Sequence, residues 1–292
     1  MRKKGMYYYH FEIAGLTIEI ATPLEISFHP GMGPFEIFEN EKEKIGYQLK
    51  IYYDFDGLLA GTAKKDCYII ETENGFIREK EVYKNGETYQ LLLVSQKDVN
   101  QYSLCIPKGF AETAHLFDGM NIWDFLAFEE PLLYHQGFLL HSSFISWQNN
   151  GILFTAPSGT GKSTQADLWK KYEDADIYNG DRTIIRKIEG KYYGFGSPYA
   201  GSSGIYRNES APIKAIVVIE QGPDNVIRRL HGREAFLPLF RETLMNTWNK
   251  EYMEKMTDLL MDVACQIPVY HLSCRPDQGA VNTVKNEILK EL

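Results

Sequence analysis

Nine residues, Ala156-Pro157-Ser158-Gly159-Thr160-Gly161-Lys162-Ser163-Thr164, constrain the fold of this chain more than any other stretch. An apolar run, GILFTA (151–156), precedes them, and KSTQADLWKKY follows with the spacing of a helix. Strand, glycine-containing loop and helix in that order form the setting of a Walker A loop, here with Ala156 in place of the first glycine. Small residues let a backbone wrap a phosphate without Cβ clashes. Successive N–H groups and a helix N-terminus then make a concave site for phosphate oxygens. In this reading the amides of Ser158, Gly159, Thr160, Gly161, Lys162, Ser163 and Thr164 hold nucleotide phosphates. The Lys162 ammonium bridges the β- and γ-phosphates, and the Ser163 hydroxyl ligates Mg²⁺. The bland alternative is a glycine-rich turn between a strand and a helix.

Such a loop needs an acid to help hold the metal. Asp181, in Tyr178-Asn179-Gly180-Asp181-Arg182, begins a β-prone segment downstream and is the expected metal ligand or base. Asp174 and Asp176 are rivals, but they lie in a polar helix-end stretch and read as solvated. His141 sits in FLLHSSFISW, the strand before the Gln148-Asn149-Asn150-Gly151 turn that leads into the loop. A strand histidine is often only a packed residue. This one is placed to orient Asp181 or a nucleophile hydroxyl as a neutral imidazole. Residues 196–208 (GSPYAGSSGIYRN) are rich in small residues and are expected to form a mobile lid. Arg207 within them is expected to swing onto the transferring phosphoryl group. Arg228, Arg229 and Arg233 read as a solvated helix start, and Arg275 as a weak nucleotide contact.

These residues carry a resemblance. LLHSSFISWQNNGILFTAPSGTGKST together with YNGDRTIIR is similar to the catalytic core of HPr kinase/phosphorylase and its relatives, a superfamily that includes ATP-dependent phosphoenolpyruvate carboxykinase. His141 matches the family histidine, Ser158 to Thr164 match the loop, and Asp181 matches one position of a paired Asp-Asp. The resemblance covers roughly residues 135–290. It implies ATP and Mg²⁺ as cofactors and a Ser or Thr hydroxyl, on a peptide or small protein, as acceptor. Position 180 departs from the pattern: it is Gly180 where the family has the other acid. One of the two acidic roles must then be shared, lost or supplied by another residue.

The rest of the chain supplies the frame. Asn74-Gly75 and Asn85-Gly86 each lie between β-prone runs and suit type I′ turns, so residues 67–95 are expected to form a three-stranded meander. Ala14-Gly15 reads as another tight turn, and residues 119–134 as a helix broken at Pro131. AIVVIE (215–220) and PVYHLSC (268–274) read as strands, 232–264 as two helices and the C-terminal segment as a last helix. The expected class is α+β or α/β, with a β-rich part at 1–130 and a P-loop part at 131–292. Asp54-Phe55-Asp56-Gly57 superficially suggests a phosphatase aspartate, but the hairpins after it favour an acidic turn.

Composition excludes more than it selects. With 31 Lys+Arg against 39 Asp+Glu, for a net charge of -8, the chain lacks the basic surface that nucleic acid or an anionic membrane needs. No apolar run reaches the length of a membrane span, and MRKKGMYYYHFEIAG lacks the apolar core of a signal peptide. The four Cys form no C-x-x-C pair, so a reduced, cytoplasmic setting is expected. The expected activity is phosphoryl transfer from ATP, with the β-rich part presenting an edge strand to an extended peptide. A kinase for a small hydroxylated metabolite and a nucleotide-responsive binding protein without transfer remain as alternatives.

Overall fold

The computed structural model describes residues 2–3, 5–38, 45–55, 69–73, 75–84, 86–96, 99–107, 109–110 and 125–290. Asp56-Gly57, Cys67, Asn74, Asn85 and the first part of the expected 119–134 helix lie outside them. The chain divides into two compact units, Met1–Pro131 and Leu132–Leu292. Among the described residues no helix is long and apolar enough to cross a membrane.

The first unit is one eight-stranded mixed sheet. Its strands are β1 (Arg2–Lys3), β2 (Met6–Ile13), β3 (Leu16–Thr22), β4 (Tyr47–Phe55), β5 (Ile69–Thr72), β6 (Gly75–Lys84), β7 (Glu87–Gln96) and β8 (Val99–Pro107), in the order β1-β2-β3-β4-β8-β7-β6-β5. The β2–β3 turn puts Ala14 at φ 52° and Gly15 at φ 71°, the two left-handed residues that a type I′ turn requires. β5, β6 and β7 form the expected antiparallel meander, and β8 extends it by a fourth strand. β4 lies parallel to both of its neighbours, β3 and β8. Arg78 is held between Glu129 (2.6 Å) and Glu130 (2.5 Å), and the Tyr102 hydroxyl donates to Glu130 (2.6 Å). Charges this deep persist only when paired in this way.

The second unit alternates strands and helices: α1 (Glu129–Tyr134, beginning in the first unit), β9 (Gly137–Trp147), β10 (Asn150–Thr155), α2 (Lys162–Glu173), β11 (Asp176–Asn179), β12 (Arg182–Ile188), β13 (Lys191–Phe195), β14 (Ser210–Gln221), β15 (Val226–Leu230), α3 (Arg233–Glu242), β16 (Thr243–Leu244), α4 (Lys250–Gln266), β17 (Val269–Cys274) and α5 (Gln278–Leu289). β10, β14 and β17 run parallel side by side. They are covered on both faces, which explains the apolar runs Ile152–Phe154 and Ala215–Ile219 within them. Ile152, Phe154, Val217 and Leu272 pack with Trp169 of α2 and Val281 and Val284 of α5. Leu153, Ile216 and Val269 pack with Leu239 of α3 and Met256, Leu260 and Val263 of α4. Trp169, fully buried, meets Trp147 edge-on at 5.4 Å between ring centroids.

Local signals place most of these elements, with shifts. The hairpin before β10 turns on two residues only, Gln148 (φ 51°) and Asn149 (φ 61°), and Asn150 and Gly151 already belong to β10. Arg228 and Arg229, read above as a helix start, lie in β15, antiparallel to β17. Val226, Arg228 and Arg229 are exposed and Leu230 is buried, as befits a strand at the edge of the sheet. Only Arg233 begins a helix.

Candidate functional site

β10 ends at Thr155 beside Ser142 of β9, and the glycine loop turns out of the sheet there into α2. Gly159 (φ 79°) and Gly161 (φ 115°) take conformations that side chains oppose. A Cβ at Gly159 would find no atom within 4 Å, so open space lies before that backbone. Gly161 caps α2 without a side-chain hydrogen bond, which leaves the first helical amides uncovered by any capping side chain. Lys162 folds back over the loop and donates to the carbonyls of Ala156 (2.8 Å) and Pro157 (3.3 Å). It is 7% exposed. Burial lowers its pKa, Asp181 and Glu242 oppose that, and Arg182 adds to it. Ser163 and Thr164 are exposed in the first turn of α2. The adjacent strand end steadies the loop, for the Gln221 amide donates to the carbonyl of Thr160 at 3.2 Å.

His141 stands where β9 changes partners on both edges. β12 pairs with residues up to His141 and β11 with Phe144 to Ser146. β16 pairs with Leu139 and Leu140, and β10 from Ser142 onward. Such a break opens room around one side chain, and two carboxylates fill it. His141 Nε2 lies 3.3 Å from Asp181 Oδ1, and Nδ1 lies 2.9 Å from Glu242 Oε2. The other oxygen of Asp181 lies 3.7 Å from Arg182 Nε. Burial alone would raise the Asp181 carboxyl. The hydrogen bond from His141 and the charges of Arg182, His141 and Lys162 outweigh it and hold the group below its ordinary value. Lysine, histidine and two acids thus face one another beside open loop amides.

The corner carrying Asp181 is built by Asn179. This side chain, 0% exposed, accepts from the backbone N–H groups of Asp181 (2.9 Å) and Arg182 (2.8 Å). Its amide donates to the carbonyls of Ser197 (3.1 Å) and Tyr199 (2.9 Å). Ser143 Oγ donates to the Gly180 carbonyl, and the Ser142 N–H to that of Asp181, each at 3.0 Å. The segment 196–208, expected above to form a mobile lid, is anchored at both of its ends. Asn179 ties down Ser197 and Tyr199, Arg207 N–H donates to Tyr178, and Gly196 N–H donates to Glu209. Gly196 approaches so closely that a Cβ would lie 1.9 Å from the Arg207 carbonyl oxygen. Gly201 lies against Asp181, where a Cβ would stand 3.0 Å from its Cβ, whereas Gly204 faces open space.

The structure brings together Lys162, Asp181 and His141 at the end of the loop. It does not bring Arg207 to them. That guanidinium rests on Asp176 at 3.1 Å, with Glu209 at 3.9 Å, and Asp176 pairs with Ser146, well along β9 from His141. Sequence reasoning missed Glu242, Arg182, Asn179 and Gln221. For Glu242 a signal existed: an acid at the last position of α3 sits where a helix favours cations.

The second unit is therefore a mixed α/β layered structure with a glycine loop at the carboxyl end of a central strand. No protein-family model matches the chain, and no curated protein matches it. Among solved structures, the HPr(Ser) kinase/phosphatase from Coxiella burnetii superposes on 52% of this chain and 92% of its own, at 12% identity and a TM-score of 0.32, a slight likeness.

Proposed function

We propose that the chain is an ATP-dependent kinase that transfers the γ-phosphoryl group to a Ser or Thr hydroxyl on a peptide or small protein. The observation that carries this reading is the meeting of Lys162 and the loop amides with the His141–Asp181 pair at one point of the fold. Loop amides from Ser158 to Thr164 and Lys162 would hold the phosphates. Gly159 with its open face, and Gly161, leave the room such a ligand needs. Ser163 and Asp181 would hold Mg²⁺. Among the described residues no group of three or more His, Cys, Asp or Glu forms a cation cage of its own. Mg²⁺ commonly takes one or two carboxylates and completes its shell with phosphate oxygens and water. Bound ATP would supply the electrophilic phosphorus, and the metal would offset charge on the phosphates. Asp181, oriented by His141, would accept the proton of the acceptor hydroxyl. An extended acceptor would pair with an edge strand of the first unit's sheet.

The test is incubation with γ-labelled ATP and Mg²⁺ against Ser- and Thr-containing peptides. Lys162→Ala and Asp181→Asn are expected to abolish transfer while the thermal midpoint stays near that of the wild type. Full transfer by Asp181→Asn would show that another acid serves as base. The single acid at 181, beside Gly180, favours one second reading, a nucleotide-responsive protein without transfer. Saturable ATP binding with no labelled product on any acceptor would select it.

A further inference from the structure

We infer that Glu242 is a positioning residue that fixes the ring of His141, and so supplies the second carboxylate that position 180 cannot carry. Three observations converge. First, position 180 is closed to a side chain: a Cβ there would stand 1.9 Å from Ser203 Oγ and 2.5 Å from Ser203 Cβ. The turn that packs on Asp181 fills the place a neighbouring acid would need. Second, Glu242 reaches the same histidine from the opposite side, with Oε2 2.9 Å from Nδ1, and is 14% exposed. Its backbone is set by β16, whose Thr243 pairs with Leu140 next to His141 and whose hydroxyl donates to Leu239 at 2.7 Å. Third, an acid at the C-terminal end of α3 works against the helix dipole. A surface position would gain nothing from it, and here the histidine provides the compensating partner.

The chemistry follows from hydrogen-bond roles. A carboxylate only accepts, so each ring nitrogen that faces one carries its proton: Nδ1–H is directed at Glu242 and Nε2–H at Asp181. This selects one orientation of the imidazole and turns its Nε2 edge onto Asp181. Without Glu242 the ring is free to turn about its Cβ–Cγ bond, and Asp181 loses its fixed neighbour. Beyond the reach of its charge to Lys162, Glu242 acts through its hydrogen bond with His141.

The kinetic arm of the test rests on the kinase reading, and the spectroscopic arm does not. In the nucleotide-free protein carrying ¹⁵N-labelled histidine, the ring signals of His141 are assigned by their disappearance in His141→Ala. The wild type is expected to show a proton on Nδ1 protected from solvent exchange. Glu242→Ala is expected to lose that protection, and Glu242→Gln, which keeps an acceptor oxygen, to retain most of it. Unchanged His141 signals in Glu242→Ala would overturn the inference whatever the activity. If Glu242→Ala does not fold, Glu242→Leu takes its place. With MgATP turnover as readout, kcat of Glu242→Ala is expected to fall about tenfold or more, with KM for ATP within about twofold, as for outer-shell partners of ligating histidines. Glu242→Gln should restore most of the rate. His141→Ala/Glu242→Ala should be no slower than His141→Ala alone, and a further multiplicative loss would refute action through His141. If no variant and no wild type turns over ATP, the kinase reading falls, and the ring signals still decide Glu242.

Discussion

Gly180→Ala isolates the reason why this corner holds a single acid. Gly180 does not occupy the left-handed region, so the backbone itself does not oppose a side chain. The opposition is steric: the new Cβ would stand 1.9 Å from Ser203 Oγ and 2.5 Å from Ser203 Cβ, against about 3.4 Å for an ordinary contact. The hydroxyl can rotate away, but it then gives up its bond to the Ala200 carbonyl (2.7 Å) and the one it accepts from Ile205 N–H (3.3 Å). Each is worth about 1 kcal/mol. The Cβ of Ser203 cannot rotate away, so the Gly201–Ser203 turn must shift by roughly 1 Å, at an overpacking cost of about 1–3 kcal/mol. The total is about 3–5 kcal/mol, a drop of roughly 10 °C or more in the midpoint of a unit of this size. Ser203→Gly alone loses the two hydrogen bonds, about 1–2 kcal/mol, and opens the space. Gly180→Ala/Ser203→Gly should then cost little more than Ser203→Gly, a coupling of about 3 kcal/mol. Urea unfolding followed by the fluorescence of Trp147 and Trp169, packed together in the second unit, measures all three variants. Additive effects within about 0.5 kcal/mol would refute the reasoning, because they would mean that the two side chains do not compete for one space.

Asn179→Ala leaves the amides of Asp181 and Arg182 and the carbonyls of Ser197 and Tyr199 without their buried partner, at a cost of about 3 kcal/mol or more; a loss under about 1 kcal/mol in urea unfolding would contradict the role given to this corner. Gly201→Ala places a Cβ 3.0 Å from Cβ and Cγ of Asp181 at φ 54°, so phosphoryl transfer should fall while ATP binding, measured by calorimetry, persists. Arg207→Ala breaks only half-exposed pairs with Asp176 and Glu209 and should change stability by less than about 1 kcal/mol and leave transfer within about twofold. Hydrogen bonds from Lys187 and then Tyr192 hold the Asp262 carboxyl below its ordinary value of 3.8. Its contribution is therefore present above that value and lost as the pH falls through the lower folded one. Midpoints of wild type and Asp262→Asn should differ at pH 6 and converge toward pH 2, and parallel curves would exclude the pairing as the source.

Local chemistry wrote the loop and its two flanks. An apolar run, two glycines able to take positive φ, and a helix-forming stretch lie within some twenty residues, so chain connectivity alone makes Asn150–Thr155 and Lys162–Glu173 neighbours of one turn. The same holds for the Ala14-Gly15 turn and for the meander of β5 to β7, whose registers follow from short connections. The edge strand Val226–Leu230 escaped because its two adjacent arginines leave no period-two alternation of apolar and polar residues. The anchoring of Ser197 and Tyr199 by Asn179 was not legible in residues 196–208, because small size serves close packing as readily as mobility. Glu242 joins His141 across a hundred residues because β16 continues α3 onto β9, a pairing that no periodicity announces. The empty Cβ position of Gly180 likewise depends on a turn that arrives from Gly201–Ser203. Sequence alone determined a mixed α/β chain with a glycine loop between a strand and a helix. Tertiary structure decided which carboxylates stand beside that loop, because cross-strand register and the filling of space depend on contacts made far along the chain.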